Sequence, residues 1–510
     1  MKAKPLEEKN VIGKDWLETP MSVQQIVMTL RADNQELRAG NEELRAENGI
    51  LRQRLELLEE QVKQNSQNSS QPPSQDGFGK KSAVESLENK EEKRKRGGQT
   101  GHKGHERHLY EASKCEEIHE HLPEICKVCG SALSGEDETP YRHQIVEIPP
   151  LKMQITEHRL HELECKHGRQ KTRAKLPRNV SASSYGERLS ALVAWFSSDY
   201  RQSHGQLQQM LKRLFGIEIS RASISRLRTE MSDALASVVT EAHEYVQSQP
   251  QMHSDETGFV QGNCDGNNPE KSKAWLWVLV TKYVSVFKVF LSRAKESAQE
   301  MIGETYAGIV ISDRYSGYTG LDVSQRQVCW AHLKRDFTAM SERCGISQKI
   351  GLALLKRQRR LFHWWYRVRD GTLSREQFQI MVNALRQGFK TELESAAALP
   401  ISRKEKSPLA KTVRTCQQIL KLEPSLWTFV FTNDIEPTNN AAEQALRPAV
   451  IWRRTSFGSQ SASGSQFVAR LLSVVASLKA QGRDVWDFLS LVCRSARFDL
   501  PLPSLLPLSP

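Results

Sequence analysis

The chain is 510 residues long, which is too long for one hydrophobic core and predicts three to five modules. Its formal net charge of +12 favours a polyanionic partner, although many soluble proteins are this basic. No apolar run approaches the roughly 18 residues of a membrane-spanning helix, and the N-terminus lacks the apolar core of a signal peptide. We therefore expect a cytoplasmic protein with no membrane partner.

The first predicted element is a coiled coil within residues 1–65, because the sequence repeats every seven residues. One seam position holds Leu30, Leu37, Leu44, Leu51 and Leu58, and the other holds Val27, Asn34, Asn41, Asn48, Leu55 and Val62. Asparagine in the seam lowers stability but fixes register and oligomeric state, so we predict self-association as a parallel dimer. The alternative is a single amphipathic helix packed on its own domain.

Residues 66–110 are predicted to be a flexible linker and a basic arm. Gln, Asn, Ser and Pro dominate the first part, a composition typical of a linker. From Lys93 to Arg107, four basic residues precede a Gly/His-rich stretch that cannot bury a core. Such an arm suits phosphate contacts without base recognition, and a solvated run of charge is the alternative.

A small zinc-ribbon-like module is predicted for residues 111–178. The nine cysteines are scattered, which argues against a disulfide framework in a reducing compartment. Cys126 and Cys129 form a CxxC turn that can hold a tetrahedral Zn²⁺, and Cys165 with His167 is the candidate second pair. Their spacing is cramped, so the shell could instead include Cys115, His119, His121 or His161. Metal-free packing is the alternative to structural zinc.

Residues 185–246 are predicted to be helical and to contain a helix-turn-helix. Gly216 suits the turn, and Ser220 suits the cap of the second helix. Arg226 and Arg228 lie on or near the polar face of that helix, which would enter the major groove of DNA. An ordinary helical hairpin is the alternative.

Residues 250–460 are predicted to form an α/β core. Strands are expected at 252–260, 274–281, 284–291, 309–313 and 327–332, with a helix at 295–306. This is the order of an RNase H-like fold, with ligands at strand ends.

A helical insertion is expected within this core at about 345–430, where many Lys and Arg residues accompany Trp364, Trp365 and Tyr366. The pattern suits a DNA-tracking surface, unless the aromatic rings pack inward. Residues 461–510 are predicted to be a helical region with a Leu/Pro-rich tail, which we expect to be disordered.

Three acidic residues are the candidate catalytic site. Asp255 and Asp313 are predicted at strand ends, and Glu443 opens a helix. Carboxylate oxygens suit Mg²⁺ or Mn²⁺, and three acids suffice for two ions that drive an in-line attack on phosphorus. We expect Asp255 to bridge both ions and the other two acids to hold one ion each.

Cationic residues accompany the acids and are predicted to contact DNA. They are Arg314 after Asp313, Arg447 one helical turn after Glu443, and the pair Arg453 and Arg454. Cys329 and His332 resemble a pair of metal ligands, but we interpret His332 as a supporting or DNA-contacting residue.

Six motifs resemble those of transposases of bacterial insertion sequence family sixty-six. They are Gly97-Gly-Gln-Thr-Gly-His-Lys-Gly-His, His253-Ser-Asp-Glu-Thr-Gly, Ser312-Asp-Arg-Tyr-Ser-Gly-Tyr, Cys329-Trp-Ala-His-Leu-Lys-Arg, Pro437-Thr-Asn-Asn-Ala-Ala-Glu-Gln-Ala-Leu-Arg-Pro and Ile451-Trp-Arg-Arg-Thr-Ser-Phe-Gly-Ser-Gln-Ser. The resemblance covers nearly the whole chain and implies an RNase H-like DDE transposase with two divalent metal ions and an upstream zinc module. It implies Asp255, Asp313 and Glu443 as the catalytic acids. Family members usually close the zinc site with a second CxxC, whose final cysteine is absent here.

The sequence thus predicts a multidomain α+β protein that binds terminal inverted repeats and target DNA and catalyses strand cleavage and strand transfer. We expect it on the bacterial nucleoid, with accessory proteins of the same element as further partners. The alternative is a non-catalytic dimeric DNA-binding regulator or an inactive transposase relic. A zinc hydrolase is disfavoured, because no His-rich catalytic pattern lies near the acids.

Overall fold

A computed structural model of the protein describes residues 20–63, 69–70 and 107–507. The chain divides into two compact units, Met1–Lys90 and Glu91–Pro510. Most of the predicted linker and basic arm lies outside the described residues. Within the described part, no helix is both long enough and apolar enough to cross a membrane.

The described part of the first unit is dominated by one helix, α1 (Met21–Lys63). Leucines of the predicted seam are exposed, with relative accessibilities of 60% for Leu30, 67% for Leu37 and 61% for Leu51. Helices in water depend mainly on the packing of an apolar face, and this face is uncovered. The helix is therefore compatible with the predicted zipper, whose pairing stays a prediction.

Residues 107–180 contain little regular structure. Their ordered elements are a 3₁₀ turn (Ala112–Lys114), a bridge between Ile125 and Ala132, and a hairpin of β1 (Glu162–Glu164) and β2 (Lys171–Arg173). Every residue of this segment is at least partly exposed. A module without a buried core needs another source of stability, such as a structural metal ion.

Four helices precede the sheet: α2 (Glu187–Ser198), α3 (His204–Phe215), α4 (Arg221–Ala234) and α5 (Ala236–Ser248). Gly216 ends α3 in the left-handed conformation, with φ 66°, and the Ser220 hydroxyl caps α4 by accepting the Ser223 N–H at 3.0 Å. These two local predictions are confirmed. Apolar side chains of α2, α3 and α4 form a small core that includes Val193, Leu207, Leu211, Ile224 and Leu227.

The centre of the second unit is a five-stranded mixed sheet. Its strands are β3 (Gln251–Phe259), β4 (Ala274–Val280), β5 (Ser285–Phe290), β6 (Ile309–Ser312) and β7 (Arg326–Val328). The order across the sheet is β5-β4-β3-β6-β7. The first three strands are antiparallel, whereas β6 and β7 run parallel to β3. Helix α6 (Lys295–Ile302) connects β5 to β6.

The predicted strand at 327–332 is wrong in its second half. β7 ends at Val328, and α7 (Trp330–Ser341) begins two residues later. The buried Cys-Trp-Ala run resembles a strand, but Trp330, Leu333, Phe337 and Met340 are buried at helical spacing. His332 consequently lies in the first turn of a helix.

The insertion between β7 and the last acidic motif is helical, as predicted. It contains α8 (Ile346–Arg369), α9 (Arg375–Ala397), α10 (Pro408–Lys421) and α11 (Thr428–Phe431). These helices share a second core with α7, rich in aromatic rings. Trp365 packs inward and is 7% exposed, whereas Tyr366 is 58% exposed. Lys356, Arg359 and Arg360 are exposed. The inward packing of the alternative thus holds for Trp365, and a DNA-tracking surface stays a prediction.

Three helices complete the chain: α12 (Asn440–Ser456), α13 (Ala462–Gln481) and α14 (Val485–Phe498). α13 covers the edge strand β5, because the N–H groups of Ser285 and Phe287 donate to the hydroxyls of Ser477 (2.9 Å) and Ser473 (2.8 Å). This contact satisfies backbone groups that an uncovered edge would expose.

The expectation of a disordered tail is wrong for residues 500–507. Leu505 is fully buried in the main core. The Gln481 amide donates to its carbonyl oxygen at 2.9 Å, and the Arg483 guanidinium donates to the carbonyl oxygens of Ser504 and Leu506. The prolines prevent regular structure here, but the leucines between them still bury apolar surface.

Candidate active site

Asp255, Asp313 and Glu443 come together from three elements. Asp313 follows the last residue of β6, and Glu443 lies in the first turn of α12. Asp255 is the fifth of nine residues of β3, so its predicted position at a strand end is wrong. The strand continues because β4 pairs with it, but parallel pairing with β6 ends at His253 and Ile311. Extending that register places Asp255 level with Asp313.

The two faces of β3 separate the neighbouring carboxylates Asp255 and Glu256. Glu256 points to the buried face, where the Tyr318 hydroxyl donates to Oε2 at 2.7 Å. The Arg293 guanidinium donates to Oε1 from Nε at 2.9 Å and from Nη2 at 2.5 Å. Glu256 is thus held by its own partners, whereas Asp255 points to the opposite face.

Asn439 fixes the start of α12 against the sheet. This buried side chain donates to the Ser254 carbonyl oxygen at 2.8 Å, and its Oδ1 lies 3.1 Å from His253 Nδ1. Its backbone N–H donates to Cys329 Sγ at 3.1 Å, and its carbonyl oxygen accepts the Glu443 N–H at 3.2 Å. One residue therefore joins β3, the start of α7 and the turn that carries Glu443.

The carboxylates of this site repel one another in a poorly solvated environment. Burial raises the pKa of Asp255 well above its usual range, and the charges of Glu256, Asp313 and Glu443 add to the effect. Burial also raises the pKa of Glu443; the charge of Asp313 raises it further, while Arg335 opposes the shift. Carboxylates in this arrangement gain most from a bound cation, which would relieve both the desolvation and the repulsion.

Two buried atoms of the site have no hydrogen-bond partner among the described residues: Glu443 Oε1 and His332 Nδ1. They lie 3.6 Å apart, which is too long for a hydrogen bond. Orphaned buried polar atoms are costly, and here both are ligand atoms. The oxygen donors of Asp255, Asp313 and Glu443 fit Mg²⁺ or Mn²⁺.

His332 lies beside Glu443, where a supporting residue is expected, and a DNA contact by His332 stays a prediction. Ligand atoms of Cys329, His332 and Glu443 lie within 4.8 Å of one another, and no other such group of three occurs in the part of the chain that the structure describes. Burial and the charge of Arg335 lower the pKa of His332 to about 4. The ring is therefore neutral at physiological pH, which is the form that binds metals and does not attract phosphate by charge.

The sequence reasoning missed Arg335 and Asp336, which follow His332 on α7. Arg335 Nη2 lies 4.0 Å from Glu443 Oε1. Asp336 accepts the Arg314 guanidinium at 2.7 Å and 3.0 Å. Arg335 ends the motif that begins at Cys329, but its position beside Glu443 follows only from its spacing on a helix, and a strand was predicted at the start of this motif.

The predicted DNA-binding arginines fall into two groups: some are exposed, and the others contact residues within the protein. Arg226 on α4 and Arg447 and Arg454 on α12 are exposed. Arg453 donates to the Gly258 carbonyl oxygen and to the Thr257 hydroxyl, so it anchors α12 to β3.

Arg314 and Arg228 are also engaged within the protein. The Arg314 guanidinium is paired with Asp336 and 17% exposed. Arg228 lies over the Phe467 ring at 4.2 Å and contacts His204, and burial lowers its pKa to about 10. Their position assigns them packing and pairing contacts, and a DNA contact by either stays a prediction.

The predicted zinc ligands lie on two turns with the same backbone hydrogen bonds. In the first turn the Cys126 carbonyl oxygen accepts the N–H four residues later at 2.9 Å, and the Cys126 N–H donates five residues ahead at 2.8 Å. In the second turn Cys165 makes the equivalent bonds at 2.9 Å and 3.0 Å. When the two turns are aligned at Cys126 and Cys165, Gly168 occupies the position of Cys129. His167 lies one residue before that position.

Local hydrogen bonds favour the thiolate form at both turns. Bonds with Ser131 lower the pKa of Cys129 to about 7, and backbone N–H groups of Gly168 and His167 lower the pKa of Cys165. Thiolate is the form that binds zinc. No three of Cys126, Cys129, Cys165 and His167 come within 4.8 Å of one another, so the zinc site stays a prediction.

Comparison with known proteins agrees with the resemblance drawn from the motifs. The family described as Transposase IS66 family matches residues 182–467. A second family, described only as a family of unknown function, matches residues 22–108. An uncharacterized protein of Sinorhizobium fredii, y4qI, is 24% identical over 410 residues, which cover 74% of this chain and 71% of that protein.

Proposed function

The chain belongs to the Transposase IS66 family, and from that premise we propose that it cuts and joins DNA strands with Asp255, Asp313 and Glu443 as its catalytic acids. The observation that carries the proposal is the convergence of these carboxylates from distant parts of the chain, because the register of β3 and β6 places Asp255 level with Asp313, and Asn439 joins β3 to the helix turn of Glu443. The sheet order β5-β4-β3-β6-β7 supports an RNase H-like core, because three antiparallel strands are followed by two parallel ones.

Each acid has a distinct role in this proposal. Asp255 would be shared by two Mg²⁺ or Mn²⁺ ions, and Asp313 and Glu443 would each hold one of them. When bound, the two ions activate the attacking oxygen and stabilise the leaving oxygen of an in-line displacement at phosphorus. Asn439 fixes the helix turn that carries Glu443. Arg447, exposed one helical turn further on, binds the substrate phosphate.

DNA is the partner that the family implies, and the protein offers several surfaces for it. Helix α4 follows a capped turn and presents Arg226 to solvent. Arg447 and Arg454 are exposed on α12, the helix that carries Glu443, and α8 adds exposed basic residues. We propose that these surfaces bind terminal inverted repeats and target DNA on the bacterial nucleoid, while α1 pairs two copies of the chain.

A non-catalytic regulator or an inactive relic is the competing hypothesis. Either would use the same basic surfaces. A regulator, however, has no need for three carboxylates held together against their own repulsion. The two hypotheses therefore differ in what removal of one carboxylate does to DNA cleavage.

Cleavage of a supercoiled donor plasmid in Mg²⁺ or Mn²⁺ tests the proposal. We expect Asp255→Asn and Glu443→Gln to abolish cleavage while binding to the element ends stays close to wild type. Glu436→Gln is the matched control, because Glu436 is an exposed acid just before α12. Unchanged cleavage by both site variants would contradict the proposal, and lost binding by Asp255→Asn would indicate a structural aspartate.

A further inference from the structure

Three unlike ligand atoms converge at the start of α7. Cys329 is the residue before the helix, His332 lies in its first turn, and Glu443 approaches from the first turn of α12. One sulfur, one nitrogen and one oxygen atom lie within 4.8 Å of one another. The Cys-x-x-His spacing places Cys329 and His332 on the same side of the start of α7, facing Glu443.

The distances between these ligand atoms are close to those between the ligands of a bound metal ion. Ligand atoms at about 2.0–2.3 Å from a tetrahedral zinc ion are about 3.3–3.8 Å from one another. His332 Nδ1 and Glu443 Oε1 are 3.6 Å apart. The other two separations in the group are at most 4.8 Å.

The hydrogen bonding of these three atoms also favours a bound metal ion. His332 Nδ1 and Glu443 Oε1 are both buried and lack a hydrogen-bond partner among the described residues. Arg335 Nη2 lies 4.0 Å from the same Glu443 oxygen, beyond hydrogen-bond distance. Cys329 Sγ is different, because it already accepts the Asn439 N–H at 3.1 Å. A metal-bound sulfur keeps such a hydrogen bond, which orients it.

We propose that Cys329, His332 and Glu443 bind one divalent ion of the zinc and cobalt class. Sulfur and imidazole ligands select such ions, whereas Mg²⁺ prefers a shell of oxygen atoms. The site shares Glu443 with the proposed active site, and its role in catalysis rests on that proposed function. It implies that the two metal positions differ: the position at Asp313 would be oxygen-rich and suit Mg²⁺ or Mn²⁺, whereas the position at Glu443 would also accept ions of the zinc and cobalt class.

Metal content of the full-length protein tests the proposal without a catalytic assay. The protein is dialysed against Zn²⁺, and bound zinc per chain is measured by atomic emission. We expect His332→Asn to bind about one zinc ion fewer than wild type, since one site of three ligands loses a ligand. His363→Asn is the matched control, because His363 is exposed on α8. Zinc held by the Cys126 module contributes equally to all variants.

Cobalt absorption identifies the sulfur ligand. With Co²⁺ in place of Zn²⁺, Cys329→Ser should lower the sulfur-to-cobalt charge-transfer band, whereas Cys344→Ser, at an exposed cysteine, should not. Thermal unfolding establishes that each variant is folded. If His332→Asn does not fold, Glu443→Gln carries the same test of zinc content.

The outcomes separate this proposal from the proposed function. Wild-type zinc content in folded His332→Asn and Glu443→Gln overturns the mixed site, whatever the plasmid assay shows. Loss of one zinc ion supports the site even if Asp255→Asn still cleaves DNA, a result that would contradict only the proposed function.

Discussion

The side-chain amide of Asn439 donates to the carbonyl oxygen of Ser254 across 2.8 Å, and both residues are buried. Ser254 precedes Asp255 on β3, and Asn439 precedes the helix turn that carries Glu443. A single hydrogen bond thus connects the backbone next to one candidate catalytic acid with the helix that presents another. This contact helps to fix the helix turn that carries Glu443, whose Oε1 has no hydrogen-bond partner among the described residues.

Asn439→Ala should reduce DNA cleavage more than its effect on folding explains. The change leaves the Ser254 carbonyl oxygen without its donor, and an unsatisfied buried group costs about 1–3 kcal/mol of unfolding free energy. It also frees the start of α12, so Glu443 is no longer held opposite Asp255. Urea unfolding and plasmid cleavage measure the two effects on the same preparation.

The neighbouring Asn440 provides the control for this variant, because it is exposed at the first position of α12. Asn440→Ala should leave both quantities close to wild type. Wild-type cleavage by a destabilised Asn439→Ala protein would show that Asn439 supports the fold and does not position Glu443.

The metal-free protein should lose stability as pH rises, and Asp255 should contribute to the loss. Its pKa in the folded state lies well above 3.8, because burial and three neighbouring carboxylates disfavour its charge. Between the unfolded and folded pKa values the folded state binds more protons, so unfolding free energy falls with rising pH. Asp255→Asn should therefore flatten this decline. Thermal unfolding in EDTA across a pH series measures it.

Added Mg²⁺ or Mn²⁺ should restore part of the lost stability in wild type and less of it in Asp255→Asn. Glu436→Gln, at an exposed site, should follow the wild-type curve. Parallel curves for Asp255→Asn and wild type would mean that this carboxylate does not experience the repulsion described above.

Much of this site was predictable because each acid lies in a short local motif. Asp313 follows an apolar strand, and Glu443 follows a pattern that begins a helix, so their surroundings are visible in the sequence. The role of Asn439 was not predictable, because its partner Ser254 is 185 residues away. The secondary structure at His332 was mispredicted for another reason: its buried neighbours Cys329 and Trp330 suggested a strand, and a strand would not have placed it beside Cys329.

The fold shows the same division between local and distant signals. Gly216 acts through its own backbone, and Ser220 acts through a hydroxyl that bonds only three residues away, so both were predicted correctly. The ordered tail depends on Leu505 entering a core built by distant helices, and no neighbouring residue indicates this burial. Asp255 lies inside a strand rather than at its end, because β4 extends the pairing of β3 beyond the end of β6.

Arg447→Ala should weaken DNA binding in a salt-dependent manner. Arg447 is exposed on α12, one turn after Glu443, where it can reach a phosphate near the acids. Loss of one phosphate contact should reduce the slope of log binding constant against log salt concentration by about 1. Fluorescence anisotropy with an element-end duplex at several salt concentrations measures this slope.

Lys282→Ala serves as the control for Arg447, because Lys282 is also an exposed cation but lies on a different element. It is in the turn between β4 and β5, next to the start of β3. Its salt slope should equal that of wild type. An unchanged slope for Arg447→Ala would exclude a phosphate contact by this residue.

Gly168→Cys should raise zinc affinity, and Cys126→Ser should lower it. Gly168 occupies the position that corresponds to Cys129 on a turn with the same hydrogen bonds. A side chain at Gly168 meets no atom within 4 Å, so a cysteine fits without strain. It would supply a fourth thiolate in the usual CxxC spacing. Competition with a zinc-sensitive dye measures both changes.

Cys344→Ser controls for the loss of an exposed cysteine elsewhere in the chain. Full zinc content in Cys126→Ser would remove the zinc assignment. Unchanged affinity in Gly168→Cys would show that the two turns do not share one ion.

Charge placed in the seam of α1 should abolish self-association. Leu30 and Leu37 are exposed on the helix and occupy the same position of the seven-residue repeat. If they pack against a second copy, Leu30→Lys with Leu37→Lys would bury four lysines in a dimer interface, and burial of unpaired charge is strongly unfavourable. Sedimentation equilibrium should show a dimer for wild type and a monomer for the double variant. Glu36→Lys changes charge outside the seam and should remain dimeric. A dimer that survives both the double variant and deletion of residues 1–65 would place the interface elsewhere in the chain.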